Sequence, residues 1–280
     1  MTRLKTSDIC QIKSDLEQYN QALLSKTGRG LLGIACHAHG KDESQMQALI
    51  ADFTILVVPV TAGEGIISVV IETVAAILGF LGFNARVSEQ PDTCGVALAF
   101  ESKAAALMMA DDHRFVGINL NNRLVADNSQ ATGRVFAAAL DLMARGIKGK
   151  QVLVLGCGPV GESAAMTLLS FGARVALCDI DIPRARLLKQ RLLASCQGNK
   201  AVKEDIFIEE GLDFSPYSFI LEATPCAETI SDKLIGDHLF IAAPGVPVGV
   251  STWGCRRLKE RFLHDKLELG VADMAISLLS

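Results

Sequence analysis

The sequence lacks the features that would assign it to a membrane or to a nucleic acid. No apolar run reaches the roughly 20 residues that a membrane-spanning helix needs. The formal net charge of −4 offers no excess of positive charge for phosphate backbones or anionic lipids. The first residues are polar and amphipathic, which is not the pattern of a signal peptide. We therefore predict a cytoplasmic protein with no membrane or nucleic-acid partner.

The cysteines of the chain do not have the spacing that is typical of a disulfide framework or of a metal site. Its eight cysteines form no C-x-x-C pair, and several lie in predicted strands or core turns, so we expect them to be reduced. The segment Cys36-His37-Ala38-His39 has no acidic or cysteine cluster to complement it, and Gly40 makes it typical of a helix end. We predict no metal ligands.

What the chain does have, in its second half, is a strand, a glycine turn, a helix and a second strand in sequence. The apolar run 152–155 predicts a buried strand, and residues 156–161 have the pattern G-x-G-x-x-G. Residues 162–171 predict a helix, and a second apolar run, 174–178, ends in Asp179. This order is the context that a dinucleotide-binding unit requires.

Each glycine of the turn has a physical role in such a unit. Gly156 allows the tight turn, Gly158 lets the backbone approach a pyrophosphate, and Gly161 lets the helix pack closely on the strand. The start of the helix offers unpaired N–H groups and a partial positive charge to the phosphates. We include Pro159 and Val160, within the turn, among the predicted cofactor-binding residues.

Asp179 indicates which dinucleotide is bound. A carboxylate about 20 residues after the glycines can accept hydrogen bonds from the ribose hydroxyls of the adenosine, and it would repel a 2′-phosphate. Arg184 and Arg186 follow closely and could favour NADP, but we expect them to face solvent on the next helix. The sequence therefore predicts NAD.

Two later loops are expected to lie along the cofactor. In dehydrogenases of this layout, the loop after the fourth strand commonly passes over the cofactor, which here indicates Thr224 and Pro225. Pro244 and Gly245 follow the fifth strand and would lie near the nicotinamide end.

The first half of the chain has a comparable strand-to-turn pattern. The buried strand 53–60 runs into a polar, glycine-bearing turn at 61–65, and the strand 104–110 ends in Asp111 and Asp112. Ligands bind at this carboxyl edge in open α/β sheets. The acidic pair is either a solvated turn with a helix cap or a pair that binds a cationic amine, and the residues alone leave both readings open.

These patterns together predict an α/β protein with two domains. We expect an N-terminal α/β domain at 1–130, led by a helix that either packs on the core or acts as a lid. A linking helix at 131–146 precedes a Rossmann-type doubly wound parallel sheet at 147–280, which would include a last strand at 264–269 and a closing helix at 272–279. The active site would lie in the cleft between the domains.

Several stretches together resemble one family. They are 58–61, 109–112 with 114–115, 132–133, the glycine turn 156–161, 243–247 and, most specifically, EATPCAETI at 222–230. The chain resembles the PylD family, the dehydrogenases of the last step of pyrrolysine biosynthesis, and the similarity runs nearly from end to end.

The resemblance implies a specific reaction and site. The family's substrate is lysine whose ε-nitrogen is acylated by 3-methylornithine. NAD⁺ oxidises its terminal amine to an imine, the ornithine α-amine attacks that imine, and ammonia leaves as the pyrroline ring closes. Asp111 matches the position that grips the substrate, Asp112 accompanies it, Thr61 and Ala62 would line the pocket, and Leu4 lies where the first helix closes over the substrate.

The chain departs from the family's pattern at a few positions. Ala62 and Glu64 stand where the family has Ser and Asn, and the segment 127–130 also differs. A dehydrogenase of the same layout acting on another amino acid or cyclic imine therefore stays open, as does an NAD-binding sensor without catalysis. A homodimer is the default expectation for the assembly.

Overall fold

The computed structural model describes residues 9–63, 68–195, 204–211 and 213–279, and these divide into two compact units. Unit 1 contains the described residues up to Leu24, then Arg29–Ala131 and the described residues from Lys266 onward. Unit 2 contains Ser25–Gly28 and Thr132–Asp265. Within these ranges, no helix is long and apolar enough to span a bilayer.

The first half of the chain forms helices and strands in alternation. In chain order they are α1 Ile12–Thr27, α2 Leu31–Ala38, α3 Glu43–Ile50, β1 Thr54–Val58, α4 Ser68–Phe80, β2 Asn84–Val87, α5 Asp92–Glu101, β3 Ala106–Ala110, β4 Phe115–Asn119, β5 Val125–Asp127 and α6 Asn128–Met143. The strands form one sheet in the order β2-β1-β3-β4-β5. The first three run parallel, and β4 and β5 return antiparallel.

The parallel part of this sheet sets the position of the polar turns. All residues of β1 after Thr54 are buried, as expected of a parallel strand covered on both faces. Val58 pairs with Met109 of β3, so the two strands end at the same edge. The turns that carry Thr61 and Asp111 therefore leave the sheet side by side.

The second half forms the second sheet. Its elements are β6 Gln151–Leu155, α7 Pro159–Ser170, β7 Arg174–Cys178, α8 Ile182–Ser195, β8 Ile206–Ile208, β9 Phe219–Glu222, β10 Phe240–Ala242, α9 Thr252–Leu258, β11 Phe262–Leu263 and α10 Glu268–Leu278. The six strands run parallel in the order β11-β10-β9-β6-β7-β8. This is the doubly wound order of a Rossmann fold, and the predicted fold class is confirmed.

Helix α1 buries one apolar stripe, with Leu16 and Leu23 both nearly inaccessible. Its last residues belong to unit 2, where the Lys26 ammonium donates to the carbonyl of Phe262 (2.7 Å). Burial lowers the pKa of Lys26 from its ordinary value. These contacts are those of a packing helix, and the lid-like role of the N-terminal segment stays a prediction.

The linking helix begins earlier than predicted, at Asn128 rather than near residue 131. Asp127 explains the difference, because its Oδ1 accepts from the backbone N–H of Ser129 (2.9 Å) and of Gln130 (3.4 Å), as an N-cap does. In unit 2, a Cβ on Gly133 would lie 2.2 Å from the carbonyl oxygen of Val160, so α6 packs directly against α7.

The predicted strand at 264–269 is wrong. Leu267 and Leu269 alternate with polar residues, which is typical of a strand, but β11 has already ended at Leu263 and Glu268 opens α10. The ten residues after Glu268 are buried on every face of the helix. The helix therefore starts within the alternating stretch 264–269 and replaces the predicted strand there.

The closing helix also lies in a different unit from the one predicted. It was expected within the Rossmann domain at 147–280, but α10 packs in unit 1 against α2, α4, β4 and β5. Buried polar groups fix it there: Asp273 pairs with His39 (Oδ1 to Nε2, 3.2 Å), and Asn119 donates to the Leu278 carbonyl (2.7 Å). The chain thus returns to unit 1 to complete its core.

Asn119→Ala is expected to destabilise the protein by about 3 kcal/mol, because buried hydrogen bonds are lost. The Asn119 amide donates to Leu278 and accepts from the N–H groups of Asn121 (2.9 Å) and Asn122 (3.1 Å). Urea unfolding measures the loss. Asn84→Ala is the control, since that exposed amide makes one long bond to Thr54 (3.3 Å), and equal losses in the two variants would contradict the account.

Candidate functional site

In unit 2, the neighbouring strands β6 and β9 are followed by a glycine turn and by a loop, respectively, and these two segments are in contact. Gly156 has a φ of 91°, and a Cβ there would lie 2.7 Å from the carbonyl oxygen of Ala223. A Cβ on Gly161 would lie 1.9 Å from the carbonyl oxygen of Gly156. Both positions therefore require glycine, as predicted from the spacing.

Gly158 differs from its two neighbours because a Cβ there would meet no described atom within 4 Å. It is the N-cap of α7 without a side-chain cap, Pro159 occupies the first turn, and Val160 is half-buried. Gly158 thus borders open space at the positive end of a helix. This cradle fits the pyrophosphate of a dinucleotide.

Asp179 is tied to the same turn. Its Oδ2 accepts from the backbone N–H of Cys157 (2.7 Å), and its Oδ1 accepts from the N–H of Asp181 (2.9 Å). The next residue, Ile180, is 99% exposed. The carboxylate thus lies at the carboxyl edge of the sheet, next to the glycine turn.

The two arginines that could have favoured a 2′-phosphate both have carboxylate partners. Arg184 lies 3.9 Å from Asp181, and Arg186 lies 2.9 Å from Glu210. All four side chains are about half exposed, which agrees with the expectation that the arginines face solvent.

The loops that follow β9 and β10 meet each other. A Cβ on Gly245 would lie 2.3 Å from the carbonyl oxygen of Thr224, so the predicted residues Thr224, Pro225, Pro244 and Gly245 are brought together. Thr224 and Pro244 are half-buried and Pro225 is exposed. Both loops leave the carboxyl edge of the sheet on the β9 side of the glycine turn.

Glu222, the last residue of β9, holds these loops and was not predicted as a site residue. Its Oε1 accepts from the N–H (2.8 Å) and the hydroxyl of Thr224, and its Oε2 accepts from the N–H of Gly249 (3.1 Å). Burial raises the pKa of this carboxyl, and the hydrogen bonds from Thr224 and Gly249 oppose the rise. In the sequence, this role could have been suspected because Glu222 is the first residue of the family-specific segment EATPCAETI.

In unit 1, the turns after β1 and β3 are also in contact. Gly63 has a φ of 77°, and a Cβ there would lie 2.0 Å from Oδ2 of Asp112. Thr61 and Ala62 precede it and are exposed. The structure therefore brings together the predicted residues Thr61, Ala62, Asp111 and Asp112 at one edge. Leu4 and Glu64 lie outside the described residues.

Asp92 joins this edge and was not predicted. Its Oδ1 accepts from the N–H of Thr61 (2.8 Å), and its Oδ2 accepts from the Thr61 hydroxyl. These bonds hold the pKa of Asp92 below its ordinary value. With a φ of 51°, Asp92 starts α5 in a left-handed conformation that sequence patterns do not indicate.

Asp111 uses one carboxylate oxygen to close its turn. Its Oδ1 accepts from the N–H groups of Arg114 (2.6 Å) and His113 (2.8 Å), and these bonds hold its pKa below the ordinary value. Among the described residues, no donor reaches Oδ2. An exposed carboxylate of this kind stays ionised at neutral pH, so it is suited to holding a cation and is a weak base.

Within the described part of the chain, no group of three or more His, Cys, Asp or Glu side chains is arranged to hold a metal ion. Cys36, His37 and His39 lie at the end of α2, where Cys36 is buried and burial raises its pKa to about 11. His39 pairs with Asp273. The segment is thus part of the helix packing of unit 1.

Comparison with known proteins agrees with this division. The family described as "Pyrrolysine biosynthesis protein PylD, N-terminal domain" matches residues 8–126, and "Alanine dehydrogenase/PNT, C-terminal domain" matches residues 127–224. The pyrrolysine synthase of Methanosarcina acetivorans is 31% identical over 291 aligned residues, which cover 100% of both chains. This chain belongs to the pyrrolysine synthase family. The resemblance seen in the sequence is confirmed.

Solved structures of lower identity share the fold. Quinate dehydrogenase from Corynebacterium glutamicum, in complex with NAD, superposes with a TM-score of 0.55 at 13% identity over 81% of this chain and 92% of that one. A shikimate dehydrogenase in complex with NADP⁺ gives 0.55 at 12% identity, over 81% and 88%. At these identities the likeness concerns the fold alone.

The pKa of Asp111 is expected to lie below the ordinary value of an Asp, because its carboxylate accepts from the N–H groups of Arg114 and His113. A carboxyl whose pKa is lowered on folding stabilises the protein above its unfolded pKa, and this contribution disappears as the pH falls through the folded pKa. Asp111→Asn should therefore lose stability relative to wild type at neutral pH, and the gap should narrow in acid.

Thermal unfolding from neutral to acidic pH measures that gap. Asp52→Asn is the matched control, because Asp52 is exposed before β1 and makes no hydrogen bond or ion pair within the described residues. If the difference in stability between wild type and Asp111→Asn stays constant with pH, as for the control, the proposed role of the Asp111 hydrogen bonds is contradicted.

Proposed function

We propose that this protein is an NAD-dependent oxidoreductase that converts lysine-Nε-3-methylornithine into pyrrolysine. It would oxidise the terminal amine of the methylornithine moiety to an imine. The observation that carries the proposal is that one chain of the pyrrolysine synthase family contains two features. Unit 2 has a glycine turn suited to a dinucleotide, and unit 1 has an ionised carboxylate at its sheet edge.

The reaction proposed is balanced by a single oxidant. NAD⁺ held at the glycine turn would accept one hydride from the carbon that bears the terminal amine. The amine must be neutral when the hydride leaves, so its extra proton goes first to water. The α-amine of the same moiety then attacks the imine carbon, and ammonia departs as the ring closes.

Asp111 is proposed as the anchor of the substrate's ammonium group. Its Oδ2 is the oxygen left available by the turn, and its lowered pKa keeps the negative charge at working pH. The same property makes it a poor proton acceptor, so we assign it binding and orientation, with proton transfer left to solvent. Asp112 adds negative charge to the same edge.

Thr61 and Ala62 are proposed to line the substrate pocket. The two hydrogen bonds that Thr61 donates to the Asp92 carboxylate fix its orientation and leave its hydroxyl oxygen able to accept a hydrogen bond. After oxidation, holding the α-amine near the imine is sufficient for ring closure, because proximity replaces a bimolecular encounter.

NAD is proposed over NADP because of the charge beside the cradle. Asp179 is held by Cys157 with its carboxylate next to the turn, where it can accept from ribose hydroxyls and repels a 2′-phosphate. Arg184 and Arg186, the nearby cations, are engaged with carboxylates.

Asp179→Asn is expected to shift the ratio of NAD⁺ to NADP⁺ affinity towards NADP⁺ by about tenfold, since the charge is lost while a carbonyl oxygen can still accept from Cys157. Calorimetric titration with both cofactors measures the ratio, and each ligand serves as the control for the other. A wild-type protein that binds NADP⁺ more tightly than NAD⁺ would overturn the cofactor assignment.

The reaction itself is tested by NADH absorbance after NAD⁺ and lysine-Nε-3-methylornithine are mixed with the protein. Wild type should form NADH, and Asp111→Asn should raise KM and lower kcat/KM by about 100-fold through the lost ion pair. Asp52→Asn should behave as wild type. NADH formed from other amino acids but not from this substrate would favour a dehydrogenase of a different amine.

A further inference from the structure

We propose that Glu222 is a positioning residue that holds the loops after β9 and β10 in the arrangement that receives the nicotinamide half of the cofactor. The inference rests on the proposed function, since it concerns the same dinucleotide site. It assigns a role to a buried charge that neither the dinucleotide cradle nor the substrate anchor uses.

The first observation is that Glu222 joins two loops through both of its oxygens. Oε1 accepts from the N–H and the hydroxyl of Thr224, and Oε2 accepts from the N–H of Gly249. The backbone carbonyl of the same residue accepts from the N–H of Gly245 (3.3 Å). One side chain therefore fixes residues on both sides of the meeting point of the loops.

The second observation is that the surroundings are built around the carboxylate. Glu222 is 0% exposed. A Cβ on Gly249 would lie 2.5 Å from its Cδ, and a Cβ on Gly245 would lie 2.9 Å from its Oε2. Larger residues at these positions would push the loops away, so the two glycines and the glutamate form one packed unit.

The third observation is that the charge has no cationic partner among the described residues. Burying an unpaired carboxylate is costly, so the loop contacts must supply what offsets it. A carboxylate has two accepting oxygens, which suit three converging donors, whereas an amide has one oxygen and a nitrogen that donates. The site thus requires a side chain that presents an accepting oxygen to each loop.

The loop of Thr224 is fixed further by its own hydroxyl chain. The single proton of the Thr229 hydroxyl is shared between two acceptors, the hydroxyl oxygen of Thr224 (2.9 Å) and the carbonyl oxygen of Cys226 (3.0 Å). The carboxylate of Glu222 is therefore the buried end of a chain that runs outward along residues 224–229. This loop starts beside Gly156, where Ala223 touches the glycine turn.

The test compares NAD⁺ with ADP-ribose, which has the same adenosine and pyrophosphate but no nicotinamide. In Glu222→Gln, an N–H group would face one of the loop donors, so we expect NAD⁺ to bind about tenfold more weakly, while ADP-ribose binds within about twofold of wild type. Isothermal titration calorimetry gives both dissociation constants without turnover.

Two further variants complete the design. Glu228→Gln removes the same charge from an exposed residue of the same loop and should leave both affinities unchanged. Thr224→Val removes the hydroxyl but keeps the size, so it should weaken NAD⁺ selectively even if Glu222→Gln does not fold.

Equal weakening of NAD⁺ and ADP-ribose in both Glu222→Gln and Thr224→Val, or no weakening in either, would overturn the assignment. Wild-type protein that binds NAD⁺ but oxidises no amine would refute the proposed substrate, and selective weakening by Glu222→Gln would then still support the role of Glu222. Wild-type protein that binds neither ligand would overturn both proposals.

Discussion

The dinucleotide site of unit 2 depends on close backbone contacts between the glycine turn after β6 and the loops after β9 and β10. Gly161 lies against the carbonyl of Gly156, Gly156 lies against that of Ala223, and Gly245 lies against that of Thr224. Each contact is closer than any Cβ would allow, so the turn and the two loops form a continuous backbone layer. Of the three glycines in the turn, Gly158 alone has room for a Cβ, and the space beside it is where a phosphate group would fit.

In unit 1, the carboxylates at the sheet edge also stabilise the turns that carry them. Its acidic edge is built from carboxylates that already serve the turns: Asp92 binds Thr61, Asp111 binds the N–H groups that follow it, and Asp112 packs against Gly63. Backbone and hydroxyl groups donate to the carboxylates of Asp92 and Asp111. The remaining negative charge is suited to an ammonium-bearing substrate.

The local features of both sheets could be predicted from the sequence, and the long-range ones could not. The G-x-G-x-x-G turn, β7 and Asp179 follow from residues close together in the chain, where apolar period and glycine spacing carry the information. Glu222 and Asp92 were missed because their roles depend on partners 27 and 31 residues away. No spacing rule connects such positions.

The errors at the C-terminus have the same origin. The stretch 264–269 has the alternation of a strand, and only the tertiary environment, in which every face of α10 is buried, selects the helix. Its return to unit 1 rests on Asn119 and His39, which are distant in sequence from Leu278 and Asp273. The short strand β4, which pairs antiparallel with β3, was likewise not predicted from the sequence.

The most direct test of the central claim is the mass of the product formed by wild-type protein from lysine-Nε-3-methylornithine and NAD⁺. Oxidation followed by ring closure predicts a product lighter than the substrate by one ammonia and two hydrogen atoms, formed in equal amount to NADH. A product lighter by the two hydrogens alone would contradict the ring closure. A substrate of unchanged mass, with NAD⁺ bound, would contradict the assigned reaction.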